Sequence, residues 1–232
     1  MGESVTYVSR GDAGQGYLAV PDHGAPGTPA VIVLHEWWGT DPHTRAVADR
    51  FAAAGLTALV PDLYRGLRAA EPTPTNRVLM GLAMDSAAAE IGAAARFLAD
   101  LADGGPVSVT GFRMGGSLAL WSARAAEIAV AVAFYPTLPW EHMAARWDGY
   151  RGSRAVVHAA DLALTGPGVE LAGQAVEAAG GEWRRYDYPG AREGFFNDDR
   201  PGSYHLDAAT LAWARTVEVL RATAAAPRSA AA

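Results

Sequence analysis

No cysteine occurs among the 232 residues. Disulfides, thiolate catalysis and zinc–thiolate sites are thereby excluded, and a reducing, cytoplasmic location is the simplest expectation. Positive charge is also scarce, with 19 Lys and Arg against 25 Asp and Glu and a formal net charge of -6. A nucleic-acid surface needs a basic stripe, so no nucleic-acid partner is expected. Long apolar runs are missing too: none reaches the roughly 18 residues of a membrane span, and no membrane partner is expected. The start, Met1-Gly2-Glu3-Ser4, has no basic stretch followed by an apolar one, so no secretory leader is expected. Charged residues make up 19% of the chain and hydrophobic residues 50%. That composition supplies a sizeable core, and the length suits one α/β domain.

The apolar residues fall in short continuous runs. Ala30–Leu34 reads AVIVL, and comparable runs stand at Leu56–Val60, Val107–Thr110, Ile128–Phe134 and Ala155–His158. Runs of this kind suit strands buried on both faces of a parallel sheet. Ser4 to Ser9 and Gly16 to Val20 read as two shorter strands, a hairpin. Between the runs lie helical patterns at Thr44–Ala54, Val78–Ala102, Gly116–Ala126, Gly168–Ala179 and Tyr204–Ala222. Strands alternating with helices predict βαβ units and a mostly parallel sheet flanked by helices on both faces. The domain is expected to span 1–223, with the Ala-rich 224–232 as a frayed tail.

In such sheets ligands bind beyond the carboxyl ends of the strands, so the residues after each run carry the chemistry. At the fifth strand, counting the hairpin, the sequence reads VSVTGFRMGG, then an apolar helix. A strand, Gly-x-Nuc-x-Gly and a helix make a nucleophile elbow, whose middle residue is pushed up at the sheet's edge. The middle residue is Arg113. Taken with HEWWG after the third strand, LVPDLYRG after the fourth, YPGAREGFFNDDRP and AATLAWART, the elbow makes the chain resemble the dienelactone hydrolase family from about residue 14 to 222. The resemblance implies an α/β-hydrolase fold. It also implies Cys at the elbow, His in the turn reading Gly190-Ala191-Arg192-Glu193-Gly194-Phe195, an Asp beyond a later strand, and a Glu after the third strand.

Only the last is kept, as Glu36. Arg113 stands at the Cys position and Glu193 at the His position, and the Asp is expected near Ala163, with Asp161 an offset candidate. A guanidinium stays protonated and has no lone pair to give, so covalent hydrolysis is not expected. No serine is flanked by Gly at both -2 and +2, and Ser117, past the elbow, is expected either to face solvent or to bond a backbone carbonyl. A buried Arg needs a carboxylate, so Arg113 is expected to pair with Glu193 first and Glu36 second.

Three functional readings follow. Arg113, Glu36 and Glu193 form the catalytic group of an enzyme acting on a small carbonyl or carboxylate compound by non-covalent acid–base chemistry: isomerisation, cyclisation or elimination. In the second, the same pocket only binds a ligand, and Arg113 and Glu193 are the ion pair of a retired enzyme. In the third, Glu36 or Glu193 activates water directly. Substrate contacts are expected from Trp37, Trp38, the backbone N–H of Met114, Tyr135 and Arg200. Trp37 and Trp38 suit a core as well as a pocket wall, and Arg200 can instead pair with Asp198 or Asp199. His35 reads as a buried, hydrogen-bonded histidine. His158 and Asp161 lack a third ligand, so no metal is expected. No GxGxxG or Walker sequence follows a strand, so no nucleotide cofactor is expected.

Overall fold

The apolar runs form strands because alternate residues of each can be buried in opposite layers. The computed structural model describes residues 2–9, 11–23, 27–36, 38–64, 66, 84–125, 127–137, 153–160 and 168–223. The strands are β1 (Glu3–Ser9), β2 (Asp12–Ala19), β3 (Ala30–Leu34), β4 (Thr57–Pro61), β5 (Val107–Phe112), β6 (Ile128–Phe134), β7 (Arg154–Ala159) and β8 (Glu182–Asp187). The helices are α1 (Pro42–Ala53), α2 (Met84–Leu101), α3 (Met114–Ser122), α4 (Gly168–Ala178) and α5 (Leu206–Ala222). One eight-stranded sheet has the order β1-β2-β4-β3-β5-β6-β7-β8. From β4 to β8 every neighbouring pair is parallel, whereas β1 and β2 run antiparallel at one edge.

The period of two along β3 divides the core. Ile32 and Leu34 point into the layer holding Ile91 and Leu98 of α2, Leu118 of α3 and Val169 of α4. Val31 and Val33 point into the opposite layer with Val47 and Phe51 of α1 and Leu220 of α5. Helices therefore cover both faces, as the sequence led us to expect. The expected Asp at 161 or 163, the tail 224–232 and residues 78–83 of the second helical pattern lie outside the described residues.

Several boundaries differ from the sequence reading, each for a local reason. Helix α1 starts two residues before Thr44, because Asp41 caps it, accepting from the Thr44 N–H at 2.8 Å, with Pro42 in the first turn. Helix α3 starts at Met114 rather than Gly116, because the elbow feeds straight into it. Strand β2 starts at Asp12 rather than Gly16, paired with β1 all the way from Leu18↔Glu3 to Asp12↔Ser9. Strand β8, reading EWRRYD, is absent from the sequence reading altogether. It is a sheet edge, where charged side chains guard an exposed ladder. Its charges find local partners, Arg154 to Glu182 at 2.6 Å and Arg185 to Asp187 at 2.8 Å.

Candidate active site

The site is built on the turn between β5 and α3. Arg113 there has φ 50° and ψ -113°, a left-handed conformation costly for a side chain with a Cβ. Close approach on every side enforces it. A Cβ on Gly111 would sit 2.3 Å from the Gly115 carbonyl oxygen, and one on Gly115 would sit 2.6 Å from the carbonyl oxygens of Leu34 and His35. Backbone bonds pin Arg113 between neighbours: its N–H donates to the Phe134 carbonyl, and its carbonyl accepts from the Ser117 N–H, each at 3.0 Å. The Ser117 hydroxyl also donates to the Arg113 carbonyl, at 3.3 Å. The middle residue of the elbow is thus held at the carboxyl edge of the sheet.

The loop after β8 brings the second carboxylate. Buried Phe195 and Phe196 anchor it to the layer under α1 and α5. A chain of turn bonds then stiffens it: Asn197 N–H to Gly194 O and Arg200 N–H to Asn197 O at 3.0 and 3.1 Å, and His205 N–H to Phe195 O at 3.0 Å. This loop carries both Glu193 and Arg200. The Arg113 Nε lies 3.2 Å from Glu193 Oε1 and 3.6 Å from Glu36 Oε2. Arg200 Nη2 lies 3.5 Å from the same Glu36 oxygen. Gly194, with φ +87°, makes room for the guanidinium, since a Cβ there would stand 3.3 Å from Arg113 Nη2. Arg200 therefore turns toward Glu36, and Asp198 instead faces His43 Nδ1 at 3.2 Å.

Glu36 is the most buried of the charged group, with its side chain 5% exposed against 24% for both Arg113 and Glu193. Burial raises its carboxyl above the ordinary range; the Arg113 and Arg200 guanidinia pull it back, and Asp41 and Glu193 push it up again. Its backbone is fixed by His35, whose Nδ1–H donates to the Glu36 carbonyl at 2.7 Å. His35 is fully buried and held toward its neutral form by that burial. Tyr135, just past β6, is fully buried with φ 37° and lies within the field of Glu36, Arg113, Glu193 and Arg200.

The other expected contacts are more scattered. Trp38 is half-buried in the β3–α1 loop, and Trp37 lies outside the described residues. The Met114 side chain belongs to the apolar layer against α2, where its sulfur accepts from the Tyr64 hydroxyl at 3.5 Å. Only its backbone, in the first turn of α3, is left to face a ligand. His158 is far from a metal ligand in character: Nδ1 meets the Tyr188 hydroxyl at 2.8 Å and Nε2 the Thr216 hydroxyl at 3.0 Å. Sequence reasoning missed two groups, Asp41, whose charge raises Glu36, and His43, which ties α1 to the loop bearing Arg200. The helix-start pattern Asp-Pro-His was the available signal for both.

The model of the dienelactone hydrolase family matches residues 15–224. The chain belongs to that family. "Protein usf" of Aquifex pyrophilus is 36% identical over 131 residues, covering 53% of this chain and 55% of that protein. The match thus spans about half the length of that relative. An Escherichia coli protein provisionally named carboxymethylenebutenolidase is 30% identical over 229 residues, covering 90% of this chain and 83% of its own. A Klebsiella pneumoniae structure provisionally described as a dienelactone hydrolase superposes with a TM-score of 0.80 at 24% identity, covering 95% of this chain and 98% of that one. That likeness speaks for the fold. Dienelactone hydrolases are an enzyme family named for hydrolysis, and none of these names points to isomerisation or cyclisation. Among the described residues, no helix is long and apolar enough to cross a membrane.

Proposed function

We propose that this dienelactone hydrolase relative is an enzyme that acts on a small carbonyl or carboxylate compound by non-covalent acid–base chemistry. The observation that carries the reading is the elbow itself. The strained position that projects a nucleophile holds a guanidinium, 3.2 Å from one carboxylate and 3.6 Å from another. A guanidinium cannot attack a carbonyl, but it can hold or stabilise a developing oxyanion. Glu36, desolvated and raised, is the general base, and its shift moves it toward the working range of such a group. Glu193 compensates the Arg113 charge, and Arg200 holds the far side of Glu36. The products are those of proton abstraction: an isomer, a cyclised compound or an eliminated one.

A second reading keeps the family's overall reaction. The name of the Escherichia coli relative favours hydrolysis, and a buried carboxylate can activate water as readily as a carbon acid. The test separates the two. Small enolisable ketones, keto acids and enol lactones are incubated in D2O and followed by proton NMR, with parallel runs in 18O water. Deuterium entering a carbon-bound position supports proton abstraction from the substrate. Heavy oxygen entering a carboxylate without carbon exchange supports water activation. In neither case should mass spectrometry after fluorophosphonate or activated-ester treatment find a stoichiometric adduct. An adduct on a serine would sink both.

A further inference from the structure

We propose that the Tyr135 hydroxyl holds the carbonyl oxygen of an enolisable substrate while Glu36 removes the proton from the neighbouring carbon. The inference rests on the acid–base reading above and adds a residue and a substrate class to it. Tyr135 stands among phenylalanines, with ring centroids 6.3, 6.2 and 5.3 Å from Phe112, Phe134 and Phe195. Phenylalanine would fill the same space. The hydroxyl is buried and has no hydrogen-bond partner among the described residues. A buried hydroxyl without a partner costs free energy and adds nothing to packing. The backbone is also strained at this residue, with φ 37°, and is held there by the Tyr135 N–H donating to the His158 carbonyl at 2.8 Å. Two penalties at one residue at the sheet's carboxyl edge point to a function for the hydroxyl.

The polar atoms left over in the cluster define what would satisfy them. Arg113 Nε and the Tyr135 hydroxyl are donors, and Glu36 Oε2 is an acceptor; all three atoms are buried and lack hydrogen-bond geometry to any described residue. The complement is an oxygen that accepts, beside a group that gives up a proton. A ketone or enol lactone with a hydrogen on the adjacent carbon has that pattern. In the step, the C–H bond breaks and its proton goes to the Glu36 carboxylate. The bonding pair becomes the new C=C bond, and the carbonyl π pair moves onto oxygen. Tyr135 donates a hydrogen bond to that oxygen and keeps its proton. Burial and the nearby Glu36 charge hold the phenol neutral, so it can donate across the neutral range. Glu36 then returns the proton to another atom of the enolate, so the balance closes without any co-reactant.

The probe is 4-nitrophenolate, a stable oxyanion resembling an enolate, read by its absorbance shift. Wild type is expected to bind it, and Tyr135→Phe to bind it about tenfold more weakly, as loss of one hydrogen bond to a charged oxygen implies. The Tm of Tyr135→Phe should equal or exceed that of wild type, since an unpaired buried hydroxyl is removed. Equal affinity in Tyr135→Phe, or no binding of the probe by wild type, overturns the role of the tyrosine. If Glu36→Gln at the same time loses deuterium exchange, the acid–base reading survives that failure. If Glu36→Gln exchanges like wild type, the acid–base reading fails whatever Tyr135 does. A substrate without a hydrogen on the adjacent carbon is expected to bind and not turn over.

Discussion

Two polar clusters are buried at the carboxyl half of this sheet, and they are opposites. Around His158 every polar atom is matched. The Thr216 hydroxyl donates to the Ala212 carbonyl at 2.8 Å and so accepts from His158 Nε2–H at 3.0 Å. His158 Nδ1 is then the acceptor for the Tyr188 hydroxyl at 2.8 Å, and Arg215 donates to the Tyr188 oxygen at 3.3 Å. One tautomer satisfies the whole chain. Around Arg113 the charges balance, yet Arg113 Nε, Glu36 Oε2 and the Tyr135 hydroxyl are left without hydrogen bonds among the described residues. A satisfied network stabilises and specifies a core; an unsatisfied one is tolerated where a ligand completes it. The first cluster is thus structural and the second is the place to look for chemistry.

The sharpest way to break this contrast is Glu36→Gln. Turnover is expected to fall by about 10²–10⁴-fold, the usual contribution of a general base, measured as kcat/KM on whichever substrate exchanges deuterium. Stability should move the other way. The Glu36 carboxyl is raised in the folded state, so its contribution is full below its unfolded pKa and is lost as pH rises. At neutral pH the charge is a burden, and the neutral amide should raise Tm. A lower Tm with unchanged turnover would place Glu36 with the structural cluster.

His158 titrates in the opposite sense. Its pKa is lowered to about 3 from the ordinary 6.5, by burial first and by Arg215 second. The unfolded chain therefore takes up a proton that the folded one refuses. Stability from this group is full above pH 6.5 and is lost as pH falls toward 3, by about 5 kcal/mol at most over that window. NMR of the imidazole should show it neutral down to the pH at which the protein unfolds. Protonation near 6.5 in the native state would show that the network is open to water. Smaller again is Thr216→Val, which leaves His158 Nε2–H buried without an acceptor. It should cost about 1–3 kcal/mol in urea melts, with no change in kcat.

The sequence made the frame of the site legible and hid its balance. Continuous runs such as AVIVL and the Gly-x-Arg-x-Gly-Gly turn mark strands and elbow, because burial on both faces and close backbone approach each demand particular residues at fixed spacing. Arg113 meeting Glu193 and Glu36 was also readable, since a buried guanidinium needs carboxylates. The His158 network was not, because Thr216, Tyr188 and Arg215 come from other elements and polar spacing carries no trace of it. Strand β8 escaped for a related reason: EWRRYD has charges where an inner strand has valines, and only its place at the sheet edge explains them. Arg200 turning to Glu36 rather than to its neighbours Asp198 and Asp199 depended on the path of a whole loop.

The smallest expected effect decides between a working site and a retired one. Arg113 Nε lies 3.2 Å from Glu193 Oε1, each side chain 24% exposed. If that pair survived only as a structural replacement, Glu193→Gln should unfold the protein earlier by several kcal/mol, as removing one partner of a buried pair does. The geometry argues for less. The pair reaches solvent, Arg113 keeps Glu36 as a second carboxylate at 3.6 Å, and Nε lacks hydrogen-bond geometry to either. Partial screening then limits the change to within about 1 kcal/mol. Function should respond more than stability, because without Glu193 the guanidinium is drawn wholly to Glu36. That pull stabilises the Glu36 carboxylate, lowers its pKa and weakens it as a base. The pH profile of turnover should therefore shift its acid limb downward as kcat falls. A large drop in Tm with an unmoved profile would return Arg113 and Glu193 to the structural side of the comparison.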